Sequence, residues 1–137
     1  MKAELIFKYA LSHIDEMKDA QGNEKPVIDS ASTKDYRART PGILTSIQND
    51  IAMELGLGYL DEIKAMNGDV GLEDEICATV VVYELCARLL LTEDTALSNY
   101  FSSLATEKRN TSLAKYKPKA TRKYVTDVYG SKMRAGD

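Results

Sequence analysis

A chain of 137 residues, 44% hydrophobic and 28% charged, has the length and make-up of one globular domain with a single core. No apolar run reaches the roughly 18 residues of a membrane span; the longest candidate, residues 76–91, is interrupted by Glu84 and Arg88. The net charge of −3 is unevenly spread: residues 1–107 hold 9 Lys/Arg against 19 Asp/Glu, a balance of −10, whereas residues 108–137 hold 9 against 2, a balance of +7.

Residues 2–18 read as an amphipathic helix. Ala3, Ile6, Ala10, Ile14 and Met17 recur at spacings of three and four, with Phe7 and Leu11 widening the stripe. Acidic residues are scattered through this stretch and it has no small-residue cleavage site, so it does not read as a signal peptide, and the cytoplasm is the expected place of synthesis and residence. "DAQGNEKPVIDSAS" then has Gly22, Pro26 and no period, which reads as a loop.

Ser32 or Thr33 can cap a second helix with Asp35 in its first turn, and Leu44, Ile47, Ile51 and Leu55 repeat at helical spacing up to Gly56. Pro41 leaves two possibilities. Inside one helix it removes the bond to the Arg37 carbonyl and should kink the rod; alternatively Thr40 caps a new helix with Pro41 as its first residue. The lack of any other breaker in "STKDYRAR" favours one kinked helix. "LGYLDEIKAMNGDVG", residues 57–71, is rich in glycine and aperiodic, and reads as an extended, partly ordered loop.

Residues 72–91 should form the central helix. "LEDE" places carboxylates on its first turn, and Ile76, Cys77, Val80, Val81, Tyr83, Leu85, Leu89 and Leu90 cover most of its circumference. Asp94 should cap a further helix with Leu97, Tyr100, Phe101 and Leu104 on one face, ending between Asn110 and Lys117 because Pro118 disfavours helical geometry in the residue before it. Beyond Pro118, Tyr124, Val125, Val128 and Tyr129 suit an extended strand or arm stopped by Gly130. The expectation is an all-α fold, a small bundle of about four helices with a long loop, organised as a helical body (1–117) and an extended basic C-terminal arm (118–137).

The common signatures of catalysis are missing: there is no GxSxG, HExxH, CxxC or P-loop motif. His13 is the sole histidine and lacks good metal-ligand neighbours, so it reads as a helix-surface residue. Cys77 and Cys86 are nine residues apart in one expected helix, about 13 Å along its axis, too far to bridge, and read as buried free thiols. The carboxylate pairs Asp15/Glu16 and Asp61/Glu62 are explained by solvated faces, and Glu73 to Glu75 by a helix start. Glu84 and Arg88, four apart in an apolar helix, read as a structural ion pair or an interface contact. No catalytic residue, cofactor or metal is expected, and the chain does not read as an enzyme.

The basic end is the feature that points outward, since a charge split of this kind suggests a partner, self-assembly or nucleic acid. The candidate partner-binding residues are Lys115, Tyr116, Lys117, Lys119, Arg122, Lys123, Tyr124, Val125, Val128 and Tyr129. Basic and aromatic side chains interleaved in this way can track a phosphate backbone and stack on bases, so a small nucleic-acid-binding protein is one reading. An arm that adds a strand to a neighbouring molecule is another, and a tail without fixed structure is a third.

The order of several phrases also resembles a family. "ALSHIDE" in the first helix, "DYRARTPGILTSIQNDI" in the second, "YELCARLLLTEDTALSNYFSSLATEK" across the next two and a closing "VTDVYG" together resemble the small helical head–tail connector or adaptor proteins, also called head completion proteins, of tailed phages and prophages of Gram-positive bacteria. The resemblance spans most of residues 5–130 and rests on pattern, with no invariant motif to carry individual contacts across. It implies a structural protein of the virion neck that docks on the dodecameric portal, one copy per portal subunit, in a ring linking capsid to tail around the DNA channel. Implied partners are the portal protein, neighbouring copies of the chain, other neck or tail proteins and DNA in the channel, with no membrane. A ring of identical copies needs a heterologous interface, which an acidic body and a basic arm on one chain can supply.

Overall fold

The apolar stripe of the first segment becomes α1 (Ala3–Ala20), which buries Ala3, Ile6, Phe7, Ala10, Leu11 and Ile14. The structure, a computed structural model, describes residues 1–20 and 32–116. The expected loop (19–32) is shorter at both ends, since Asp19 and Ala20 belong to α1 and Ser32 begins α2; residues 21–31 and the arm at 118–137 lie outside the described residues, as does Lys117, the last position of the expected body.

α2 (Ser32–Glu54) runs unbroken through Pro41, so the one-helix reading holds and Thr40 is not a cap. Its buried stripe starts earlier than the aliphatic pattern suggested: Tyr36 and Thr40 precede Leu44, Ile47 and Ile51 on the same face, all fully buried, while Leu55 is half-buried. The Thr40 hydroxyl donates to the Tyr36 carbonyl at 2.7 Å, so this buried polar group is satisfied within the helix.

α2 stops at Gly56, whose φ of +77° is open to glycine at little cost. The Leu57 N–H reaches back to the Ala52 carbonyl at 2.8 Å and the Gly56 N–H to the Met53 carbonyl at 3.2 Å, the paired bonds of a Schellman motif.

The third rod comprises α3 (Asp74–Ile76), a π-helical turn (Cys77–Val81) and α4 (Val82–Leu90). The junction residues all have right-handed helical dihedrals, so the three parts form one continuous helix. It starts at Asp74, two residues later than the sequence pattern suggested, because Glu73 is still extended and only Asp74 and Glu75 occupy the first turn. The π turn inserts an extra residue into the helical repeat, and Val80, Val81 and Val82 are all buried. This rod is central: α4 packs against α1, α2 and α5.

α5 (Thr95–Ser112) begins at Asp94, whose carboxylate accepts the Leu97 N–H at 3.0 Å, as the sequence suggested. Its buried face differs from the expected one. Leu97 and Phe101 are in the core, but with Ser98 and Ala105, while Tyr100 is 46% exposed and Leu104 half-buried. Small side chains let α5 approach α4 closely, and the Ser98 hydroxyl donates to the Ala87 carbonyl at 2.7 Å. A short 3₁₀ turn (Ala114–Tyr116) follows, anchored by the buried Leu113.

The described residues thus form an all-α bundle of four helical rods around one core. Among the described residues the only β pairing is an isolated bridge between Lys2 and Asp69. None of the described helices is long and apolar enough to cross a membrane.

Candidate interaction surface

Residues 57–71 are ordered by the polar side of α2. Gln48 is fully buried; its amide nitrogen donates to the Asp61 carbonyl at 2.7 Å and its oxygen accepts the Gly71 N–H at 2.9 Å. One helical turn earlier, Thr45 accepts the Ile63 N–H at 3.0 Å; next to Gln48, the Asn49 side-chain oxygen accepts the Leu60 N–H at 2.8 Å. The far side of the loop is tied to α1: the Met66 and Gly68 carbonyls accept the Glu4 and Ala3 N–H groups, both at 2.9 Å, which fills two of the donors that every helix start leaves open. The loop is therefore extended but held along its length by side chains that carry no obvious sign of burial in the sequence.

Charged side chains tie the rods together. Arg109 of α5 lies between Glu84 of α4, 3.0 Å from Nη2, and Glu54 of α2, 3.4 Å from Nε. Both nitrogens are shielded from solvent without a well-directed hydrogen bond, so the contact is chiefly one of charge. Glu84 and Arg88 do pair within their helix, at 3.7 Å, but each has a closer partner elsewhere: Arg88 meets Ser46 at 3.1 Å and Asp50 at 3.2 Å. Arg37 of α2 makes two bonds to Glu4 of α1, which lower the Glu4 pKa, and lies 5.0 Å above the Phe7 ring.

The isolated titratable groups are placed as structural elements. His13 is half-buried with its ring 4.9 Å from that of Tyr83. Cys77 and Cys86 are free and buried, and burial raises both thiol pKa values, that of Cys77 to about 11. Among the described residues, no group of three His, Cys, Asp or Glu side chains is arranged to hold a metal ion.

Of the candidate partner-binding residues, Lys115 and Tyr116 are described and the other eight, from Lys117 to Tyr129, lie outside the described residues. Lys115 is exposed and bonds Glu75 at the start of the central rod, 2.5 Å away, which raises the Lys115 pKa. Tyr116 lines a cleft of about 280 Å³ with Leu55, Leu57, Leu72, Glu73 and Ile76. The basic end of the chain thus starts against acidic side chains of the body.

Leu57 belongs to a second feature that the sequence reading passed over. Met53, Leu57 and Tyr59 are 80%, 50% and 87% exposed, and all three line one shallow depression with Asn49 and Gly58. Met53 and Tyr59 also border a groove of about 390 Å³ running along α2 past Asn49 and Asp50. The available signal was the phrase "GLGYL", in which apolar side chains alternate with glycines that cannot cover them. No protein-family model, curated protein or solved structure matches the chain.

Proposed function

We propose that the chain is a structural virion protein without enzymatic activity, a head–tail connector or adaptor that docks on the portal and forms a ring linking capsid to tail around the DNA channel. The observation that supports this reading best is the division of charge, −10 over residues 1–107 and +7 over residues 108–137. Identical copies that each carry an acidic body and a basic extension can join head to tail, the heterologous contact from which closed rings are built. The phrase-level resemblance of residues 5–130 to connector proteins supplies the particular assembly, with residues 118–137 as the arm that meets the portal or a neighbouring copy.

The alternative, a nucleic-acid-binding protein, draws on the same basic residues. Two of them are already engaged by the body, since Arg109 lies between Glu54 and Glu84 and Lys115 bonds Glu75. An acidic body would also repel a phosphate backbone at short range. Native mass measurement separates the readings, taken on the chain alone and mixed with the portal protein of the same genome at low and moderate salt. One added copy per portal subunit, lost on deletion of residues 118–137, is the expected result. A chain that ignores the portal but shifts in mass with a short DNA duplex, more weakly as salt rises, would overturn the connector reading.

A further inference from the structure

We infer that the exposed apolar face formed by Met53, Leu57 and Tyr59 is a docking surface for residues 117–137 of the same chain. This inference concerns the unassembled protein and does not depend on the portal.

The face is continuous and leads to the point from which that segment departs. The groove bordered by Met53 and Tyr59 adjoins the depression that adds Leu57, and Leu57 in turn lines the cleft that holds Tyr116. Tyr116 is the last described residue, so the chain continues from one end of the face. The floor is fixed before anything docks: the Schellman motif holds Leu57, and the Asn49 side chain holds the Leu60 backbone next to Tyr59.

Composition matches the segment to the face. Residues 117–137 contain 6 Lys/Arg against 2 Asp/Glu, and their large apolar side chains are Tyr124, Val125, Val128, Tyr129 and Met133. On the body, Asp61 and Glu62 follow Tyr59 in the chain as exposed carboxylates with no ion pair to another described residue, and the exposed Glu73 lines the Tyr116 cleft. Tyr124 lies eight positions beyond Tyr116, a reach of up to about 26 Å at roughly 3.3 Å per residue. That is enough to carry the apolar side chains along the face.

Tethering decides between this segment and the same segment of a second copy. A short linker holds its ligand at an effective concentration on the order of millimolar, well above the concentration of other copies in a dilute solution.

The experiment uses the full chain with Tyr59→p-benzoylphenylalanine, mixed in equal parts as unlabelled and ¹⁵N-labelled protein, irradiated when dilute and digested for mass spectrometry. Cross-links from position 59 to residues 117–137, with both peptides carrying the same isotope, are expected. Mixed-isotope pairs would place a second copy on the face and overturn the inference, as would the absence of any cross-link to the segment. A second readout is the rate of trypsin cleavage after Lys119, Arg122 and Lys123 in the full chain. The double variant M53E/Y59E, altered only at exposed positions, should be cut roughly tenfold faster if cleavage follows the undocked population. An unchanged rate would overturn the inference. Portal binding enters neither readout, so this inference and the proposed function fail separately.

Discussion

Gln48 and Gly71, distant in sequence, meet through a 2.9 Å hydrogen bond from the Gly71 N–H to the Gln48 side-chain oxygen, while the other end of the same amide holds Asp61. With an N–H on one side and a carbonyl on the other, the amide can be oriented in only one way. One buried side chain thus holds two points of residues 57–71. Replacing it with Gln48→Ala leaves both backbone groups without their partner and should cost about 1–3 kcal/mol in urea unfolding. Amide hydrogen exchange at Gly71, Ile63 and Leu60 should rise by more than exchange in α4. Uniform acceleration across the chain would mean that the loop has no separate dependence on Gln48.

The end of α2 gives a second prediction. Gly56 has open space where a Cβ would project, but its φ of +77° is strained for any side chain. Gly56→Ala should therefore destabilise by about 1–2 kcal/mol through the backbone alone, without a clash. Gly58 also has open space and no positive φ, so Gly58→Ala should change little. Equal losses from the two substitutions in thermal unfolding would show that the left-handed position is not what matters.

Arg109 carries a third. Because Glu54 and Glu84 belong to different rods, removing the guanidinium takes away the cation that two partly buried carboxylates share. Arg109→Ala should lower stability by about 1–3 kcal/mol, less than for a fully buried pair because the groups are partly solvated. The double variant R109A/E84A should recover part of that loss, since it removes one of the two carboxylates that Arg109 holds. Losses in the double variant equal to the sum of the singles would argue against coupling.

These residues also mark how far the fold could be read from the sequence. The aliphatic stripes of α1 and α2 and the Asp94 cap were legible because period and capping are local properties of the chain. The face of α5 was not. Counting large apolar residues favours Tyr100 and Leu104, whereas contact with α4 depends on the smallness of Ser98 and Ala105. Nor does any local signal distinguish the buried Gln48 from a solvated one, so the order of residues 57–71 stayed hidden. Arg109 was counted with the basic end although its charge is used inside the acidic body, and the π turn at Cys77 has no sequence signature. Of the candidate site, Lys115 and Tyr116 were legible as its beginning, but the face containing Met53, Leu57 and Tyr59 was not, because exposure of an apolar residue depends on what packs over it.

The buried acids make the last prediction one of alkaline instability. Burial raises the pKa of Cys77 from about 9 to about 11 and also raises that of Cys86; for Tyr36, burial and then its 2.5 Å bond to Glu93 act in the same direction. In each case the folded value lies above the unfolded one, so folding favours the protonated form. The contribution is complete below the unfolded pKa and is lost as pH rises toward the folded value, because the unfolded chain gives up its protons first. Unfolding free energy should therefore change little between pH 7 and 8 and then fall above about pH 9, by up to about 1.4 kcal/mol per pH unit for each group that titrates in the unfolded state alone. Tyr36→Phe should flatten the part of the fall that lies above about pH 10. A thiol reagent at pH 8 should leave both cysteines unmodified until urea unfolds the chain. Rapid labelling of the native protein would show that the thiols are reached through local opening, and the alkaline fall should then be shallower than that of a cooperative core.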